Sequence, residues 1–219
     1  MSGFESVLVG IALVVLGYLL GAIPMGYVTL KLFKKQDITK FGSGRTGGTN
    51  AMRAGGIWIG TMTGLLDLVK GFLAVQISRW LMPTNIWVQV FAGAAAVFGH
   101  NWSLWLYLLT KKFSAGAGTG PNVGAAMAFW PLAVVVALPM VLFFVFIVGY
   151  ASVASLAVAA ALVVVFLLRA TLVGTPWQYI VFAMITALAV TLALRPNIQR
   201  LVRGQERRVG IFARKKLAQ

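Results

Sequence analysis

Long stretches without a charged residue alternate with short polar segments along this 219-residue chain. Five such stretches cover residues 6–30, 54–66, 80–110, 113–168 and 170–194. A helix needs roughly 20 apolar residues to cross a bilayer, so most of the chain is long and apolar enough to lie within a membrane. The pattern predicts an all-α protein, a polytopic transmembrane helix bundle.

Proline and glycine divide these stretches into predicted helices. With breaks at Pro83, Gly149 and Pro176, the helices are predicted at residues 6–30, 57–82, 86–109, 131–149, 151–168 and 176–194. Residues 114–130 are uncharged but glycine-rich and contain Pro121, so a re-entrant element is expected there. The prediction is six to seven crossings with glycine-rich cytoplasmic loops, in a single domain over residues 1–219.

The basic residues are concentrated in three segments. Of 19 Lys and Arg, six lie in residues 31–53 and eight in residues 195–216, while Lys111 and Lys112 form a smaller cluster. The positive-inside rule places all three segments in the cytoplasm, so the N-terminus is expected outside, the C-terminus inside and the number of crossings odd. Seven tail residues are expected against anionic lipid headgroups: Arg200, Arg203, Arg207, Arg208, Arg214, Lys215 and Lys216. Nucleic acid is excluded as a partner because the chain offers no soluble basic domain.

The segment FGSGRTGGTNAMRAGG, residues 41–56, has the composition of a phosphate-binding loop. Glycines let backbone N–H groups turn toward an anion, hydroxyls and Asn add donors, and Arg offers a two-pronged contact. The candidate ligand residues are Gly42, Ser43, Gly44, Arg45, Thr49, Asn50 and Arg53. A flexible loop with solvated arginines is the alternative, and the spacing is not that of a Walker loop.

Ionisable residues inside the apolar segments are the second feature. Asp67 and Lys70 are three residues apart in one helix, and such groups are costly in a membrane unless they pair or line a wet cavity. They are predicted to be partners that either fix helix packing or orient the substrate. His100 is the only histidine, so it is either the sole candidate imidazole base or a hydrogen-bonded structural group.

The composition limits the available chemistry. The chain has no cysteine, and neither zinc-ligand spacing nor a serine–histidine–carboxylate triad is recognisable. No metal and no cofactor are therefore expected. Any catalysis must rely on positioning and charge stabilisation.

Several motifs in order give the chain a family resemblance. They are GAIPMGY at 21–27, GSGRTGGTNAMR at 42–53, DLVKG at 67–71, GHN at 99–101, YASVAS at 150–155 and LRPNIQRLVRGQE at 194–206. Together they resemble the bacterial acyl-phosphate:glycerol-3-phosphate acyltransferases, multispanning enzymes of phospholipid synthesis in the cell membrane.

The resemblance implies transfer of a fatty acyl group from acyl phosphate to glycerol 3-phosphate, giving lysophosphatidic acid at the cytoplasmic leaflet of the bacterial inner membrane. It implies seven crossings and membrane lipid around the helices. Ser43, Arg53 and His100 are expected to be catalytic. The residues expected to bind substrate are Gly42, Gly44, Arg45, Thr49, Asn50, Asp67, Lys70, Ser152, Ser155, Asn197 and Glu206.

Three positions depart from the family pattern. The lysine-containing K-G-G-K-G motif aligns with residues 114–118, SAGAG, so both lysines are missing. Leu194 stands where the last motif has histidine, and Arg45 where the loop has Asn. A lysine facing phosphate stabilises it electrostatically, so a non-catalytic protein on the same fold, binding anionic lipid or a partner, is the alternative.

The charge distribution yields a topological prediction. Reporter tags placed after residue 2 and after residue 219 should lie on opposite sides of the membrane, because an odd number of helices crosses it. Labelling of intact cells with a membrane-impermeant reagent measures this directly. Tags on the same side would contradict the odd number.

Overall fold

A computed structural model describes residues 3–209, which form a bundle of helices. In chain order they are α1 (Gly3–Ala22), α2 (Met25–Lys34), α3 (Gly48–Gly55), α4 (Ile57–Leu81), α5 (Ile86–Asn101), α6 (Leu104–Thr110), α7 (Thr119–Phe129), α8 (Ala133–Leu142), α9 (Ala151–Val173), α10 (Gln178–Ala193) and α11 (Arg195–Val202). A 3-10 turn at Ile38–Lys40 and a π-helical turn at Phe143–Val148 complete the helical segments. Within residues 3–209 there is no β-strand, so the all-α prediction is confirmed.

Three helical segments of the described chain have the length and composition to cross a membrane: Gly3–Lys34, α4 and α9. The pair α10 and α11, bent by 61°, is a fourth candidate. Helices α5 and α10 have 16 residues each, about 24 Å at 1.5 Å per residue, which is shorter than a hydrocarbon core of roughly 30 Å. Six to seven crossings therefore stay a prediction.

Helices α1 and α5 pack with their backbones in contact. A Cβ on Gly17 or Gly21 would overlap the backbone of Ala92 or Ala96. Small residues on both helices allow this close approach, which is how helices associate where lipid removes the hydrophobic driving force. The side of α1 away from α5 exposes large apolar side chains such as Val7, Leu8 and Ile11, as a lipid-facing surface does.

Helix α7 crosses α4 in the same way, and this crossing positions the polar residues of the interior. A Cβ on Gly71 would overlap the backbone of Pro121, and one on Gly124 would overlap the backbone of Leu68. The N-terminal end of α7 is thereby held against the turn of α4 that carries Asp67. At its other end, Phe129 packs against the fully buried ring of Phe182, with ring centroids 5.0 Å apart.

The predicted helix at residues 6–30 is divided in two, which corrects its boundaries. Pro24 has no N–H and ends α1, and the Gly26 N–H donates to the Thr46 carbonyl at 3.1 Å instead of continuing the helix. Since the Tyr27 N–H donates to the Pro24 carbonyl, the Ile23 carbonyl is left for a different donor.

The predicted helix at residues 86–109 is also divided, between α5 and α6. The Trp102–Ser114 bridge pairs extended backbone at this point, and the Ser103 hydroxyl accepts the Leu106 N–H at 3.0 Å to begin α6.

Two further boundaries differ from the prediction. Residues 119–129 form the eleven-residue helix α7, which begins after Gly118 at φ +80°. The helix predicted at residues 151–168 extends as α9 to Val173. Of the seven tail residues predicted to lie against headgroups, Arg200 contacts Glu206, Arg207 contacts the Gly42 carbonyl, and Arg203 and Arg208 are exposed. The other three, Arg214, Lys215 and Lys216, fall outside the described residues.

The α4–α7 crossing yields a prediction about stability. Gly71→Ala should lower the stability by about 1–3 kcal/mol, because the new methyl group forces the two backbones apart. Gly64→Ala is the matched control in the same helix, since no atom from a neighbouring helix or loop lies within 4 Å of its Cβ position, and it should leave stability unchanged or slightly raised. Thermal unfolding of both variants in detergent tests this. Equal melting temperatures would contradict the close approach.

Candidate active site

A cavity of about 590 Å³ opens between α3, α4, α7, α8 and α9. One end is polar and is closed by the loop before α3 and by the segment after α11. The other end is apolar, with side chains from α4, α8 and the π-helical turn. The apolar lining residues are Ile57, Leu65, Leu68, Val123, Val134, Ala137, Leu138, Val141, Leu142, Val145 and Phe146. The shape suits a ligand with one charged end and one aliphatic chain.

Asn50 organises the loop before α3 at the polar end. Its buried side-chain amide accepts the Ser43 N–H at 3.0 Å and donates to the carbonyls of Phe41 at 3.0 Å and Arg45 at 2.8 Å. Gly42, at φ +51°, turns the chain close against this amide. Asn50 lines the cavity, but its hydrogen-bonding groups are already used to hold the loop.

Some of the backbone N–H groups of this loop are already hydrogen-bonded within the protein. The N–H groups of Gly44 and Thr46 donate to the carbonyls of Phe41 and Ala115, and that of Arg45 reaches the Ser43 hydroxyl at 3.4 Å. The N–H groups of Gly47, Gly48 and Thr49, at the start of α3, line the cavity and have no hydrogen-bond partner among the described residues. The predicted backbone cradle therefore narrows to these three residues, which can act together with the arginine side chains.

Arg45 and Arg53 carry the positive charge of this loop into the cavity. Arg45 Nη2 donates to the Ala193 carbonyl at 2.6 Å, at the end of α10. Burial lowers the pKa of the Arg45 guanidinium, as does the charge of Arg200. Burial, and then Arg207, lowers the pKa of the Arg53 guanidinium. Both guanidinium groups stay charged. Because burial and the neighbouring arginines disfavour this charge, an anion that entered the cavity would stabilise it and be stabilised in turn.

Glu206 connects α9, α11 and the segment that follows them. Its carboxylate accepts from Ser152 Oγ at 3.1 Å, Asn197 Nδ2 at 2.7 Å and Arg200 Nε at 3.0 Å. Ser152, Asn197 and Glu206 all line the cavity. The structure therefore brings the last motif onto the same cavity as Arg45 and Arg53.

Asp67, Lys70 and His100 form a buried cluster between α4 and α5. Lys70 Nζ lies 2.9 Å from Asp67 Oδ1 and 3.0 Å from His100 Nδ1, and it donates to the Ile23 carbonyl at 2.8 Å. The predicted Asp67–Lys70 pair is confirmed. Asp67 and His100 reach the cavity, whereas Lys70 lies behind them.

A family model described as glycerol-3-phosphate acyltransferase matches residues 11–204. The chain belongs to the glycerol-3-phosphate acyltransferase family. A relative of that name from Halalkalibacterium halodurans is 34% identical over 202 residues, which cover 92% of this chain and 96% of the relative. Glycerol-3-phosphate acyltransferase 2 from Moorella thermoacetica is 36% identical over 204 residues, 90% of this chain and 95% of the relative.

Solved structures agree with the family assignment. The structure of PlsY (YgiH), an integral membrane glycerol 3-phosphate acyltransferase, in its glycerol 3-phosphate form has a TM-score of 0.78 and 31% identity, covering 92% of this chain and 96% of that one. Its lysophosphatidic acid form has a TM-score of 0.76 and 30% identity, covering 92% and 95%. This chain is thus an all-helical integral membrane protein of an enzyme family, and the non-catalytic alternative is not favoured.

The structure brings together most of the residues expected to form the acyltransferase site. Those lining the main cavity are Ser43, Arg45, Thr49, Asn50, Arg53, Asp67, His100, Ser152, Ser155, Asn197 and Glu206. Gly42 and Gly44 instead line a second cavity of about 490 Å³, which shares Ser43 and Arg45 with the first and also contains Lys40 and Lys112. The substrate roles of all these residues stay predictions.

The loop that lacks the family lysines lies beside Arg45. Gly116, Ala117 and Gly118 line the cavity, and the Thr46 N–H donates to the Ala115 carbonyl at 2.6 Å. The two loops are therefore joined by their backbones at the residue that follows Arg45.

Arg207 is a cavity residue that the family motifs do not include. It follows Glu206, lines the cavity and donates to the Gly42 carbonyl. The buried Val209, whose N–H donates to the Gly149 carbonyl at 2.9 Å, holds the segment on the other side of Arg207. Arg207 lies one residue past the last motif, which was the signal available in the sequence. The sequence pattern did not single it out, because a basic tail is usually solvated.

Proposed function

We propose that this chain transfers a fatty acyl group from acyl phosphate to glycerol 3-phosphate in phospholipid synthesis. The products are lysophosphatidic acid and inorganic phosphate. One observation carries the proposal: a single cavity of about 590 Å³ is lined by arginines at one end and by aliphatic side chains at the other. Both substrates carry phosphate, and the donor also carries a long acyl chain.

The reaction balances without a cofactor. A hydroxyl oxygen of glycerol 3-phosphate attacks the carbonyl carbon of acyl phosphate, and the bond from that carbon to the phosphate oxygen breaks. The hydroxyl proton leaves with inorganic phosphate. The protein's contribution is to align the two substrates and to stabilise the negative charge on the phosphates and on the attacked carbonyl oxygen.

Three arginines support this role at the polar end of the cavity. Arg45, Arg53 and Arg207 line it, while Glu206, a carboxylate on the same side, is already satisfied by three donors. Guanidinium groups bind phosphate oxygens in pairs and stay charged, so they supply the cations that residues 114–118 lack. Ser43 and Thr49 add hydroxyl donors at the same end.

The apolar end is proposed to hold the acyl chain. It faces α4 and α8, whose outer surfaces are themselves apolar, so the donor can enter from the hydrocarbon of the membrane without crossing water. We place the protein in the bacterial inner membrane as a single domain over residues 1–219, with seven crossings, the N-terminus outside and the C-terminus in the cytoplasm.

Purified protein in detergent, supplied with acyl phosphate and glycerol 3-phosphate, tests the function. Lysophosphatidic acid should form faster than without enzyme, and acyl-CoA should not replace acyl phosphate. Binding of phosphate without product would support the non-catalytic alternative instead.

Arg53→Ala should lower kcat/KM at least tenfold. A charge-assisted hydrogen bond contributes roughly 1.5–3 kcal/mol, and 1.4 kcal/mol corresponds to a factor of ten. Arg203→Ala is the matched control, since this exposed arginine follows α11 and does not line the cavity. Steady-state assays on both variants give the comparison. Wild-type turnover in the Arg53 variant would show that Arg53 does not bind a substrate phosphate.

Arg45 should replace the positive charge missing from residues 114–118. Arg45→Ala is then expected to lower turnover at least tenfold, whereas Ala117→Lys in the wild-type chain is neutral or harmful because two cations repel each other. In the double variant the new lysine should restore part of the activity, so the two effects are not additive. Ala117→Met controls for side-chain size.

The same assay of the single and double variants measures the coupling. If Arg45→Ala and Ala117→Lys both leave turnover and substrate binding unchanged, the replacement and the alignment through residues 114–118 are wrong.

A further inference from the structure

The hydrogen bonds of Lys70 decide which nitrogen of the His100 ring carries a proton. An ammonium group has three donors and no acceptor. Lys70 Nζ has three acceptors within reach: the Ile23 carbonyl at 2.8 Å, Asp67 Oδ1 at 2.9 Å and His100 Nδ1 at 3.0 Å. Its hydrogen bonds go to the Ile23 carbonyl and to His100 Nδ1, whereas the contact with Asp67 is an ion pair in which Oδ1 accepts no hydrogen bond from the described part of the chain. Nδ1 of His100 therefore acts as an acceptor for an ammonium group.

The competing partner of Nδ1 is further away. Asp67 Oδ1 lies 3.4 Å from His100 Nδ1, compared with 3.0 Å for Lys70 Nζ. If Nδ1 carried a proton, it would point an N–H group at an ammonium group. The arrangement favours an unprotonated Nδ1 and, in a neutral ring, a proton on Nε2.

The Nε2 edge of the ring lies at the part of the cavity wall that Gly116 forms. A Cβ on Gly116 would overlap His100 at Nε2, so the backbone of residue 116 lies directly against this edge. His100 and Gly116 both line the cavity, and the His100 side chain is otherwise buried. A nitrogen that already carries a proton can donate to an oxygen there but cannot remove a proton from a hydroxyl group.

We infer that Lys70 is a positioning residue that holds His100 in the Nε2–H tautomer, so that His100 acts as a fixed hydrogen-bond donor to a substrate oxygen rather than as a general base. The oxygen that accepts this hydrogen bond is a phosphate oxygen or the attacked carbonyl oxygen, and this part of the inference rests on the proposed function. The tautomer of His100 is independent of the proposed function. The hydroxyl proton needs no imidazole acceptor, since it leaves on inorganic phosphate.

The single histidine allows a direct measurement. Full-length protein labelled with ¹⁵N-histidine and purified through a histidine-free tag has one imidazole, so its NMR spectrum reports the protonation of Nδ1 and Nε2 of His100 alone. The expected result is a protonated Nε2 and an unprotonated Nδ1 without substrate. A proton on Nδ1, or on both nitrogens, overturns the inference.

The role of Lys70 is tested in the same spectrum. Lys70→Met, measured at a pH at which the Asp67 carboxylate is ionised, should move the proton to Nδ1, because the carboxylate is then the remaining partner and accepts. Lys70→Arg should keep it on Nε2. If Lys70→Met does not fold, Asp67→Ala with Lys70→Met removes both partners and should show a mixture of tautomers. If the spectrum of Lys70→Met, or of the double variant in its place, is the same as that of the wild type, Lys70 does not set the tautomer.

Substitutions of His100 separate a donor from a base. The amide nitrogen of Gln reaches the place of Nε2 and can donate but cannot accept a proton, whereas that of Asn reaches only the place of Nδ1. His100→Gln should therefore retain at least tenfold more kcat than His100→Asn or His100→Ala. Equal loss in all three overturns the donor role.

The two proposals fail in different ways. If the wild-type protein makes no lysophosphatidic acid, the proposed function is wrong and the NMR result still decides the tautomer. If product forms but Nδ1 is protonated, the function stands and this inference is wrong.

Discussion

A charge buried among apolar helices needs polar partners, and the rest of the structure depends most on how the ammonium group of Lys70 finds them. Only 3% of its side chain is exposed. One of its acceptors, the Ile23 carbonyl, is available because Pro24 interrupts the helix between α1 and α2. A break in one helix thus provides a hydrogen-bond acceptor for a charge in another helix. Non-helical backbone within a membrane is tolerated where the protein itself hydrogen-bonds it in this way.

Backbone packing through glycine makes this arrangement possible. Gly71 and Gly124 let α4 and α7 approach until their backbones touch, which brings the loop before α7 against His100. Larger residues would separate the helices by the width of a side chain and open the space between Gly116 and the imidazole ring. The same small residues that hold the bundle together therefore also set the shape of the polar end of the cavity.

Sequence patterns predicted the helical class, the family and most residues of the cavity, because charge-free stretches and spaced motifs are local features. They did not predict the helix break at Pro24, since a proline in an apolar run is also compatible with a kinked helix. They also assigned free N–H groups to the whole loop at residues 41–56, whereas those of Ser43, Gly44 and Thr46 are already hydrogen-bonded. Whether a turn uses its own donors depends on partners such as Ala115, which lies far away in sequence.

The position of Lys70 behind the cavity wall and the placement of Arg207 on it are likewise tertiary properties. Neither follows from a motif, because both depend on which elements meet at the polar end. Phosphate recognition depends on the sum of positive charge within a few ångströms rather than on the segment that supplies it. Arginines from the loop before α3 and from the segment after α11 meet at one end of the cavity, so a loop without lysine between α6 and α7 is compatible with a site for phosphate.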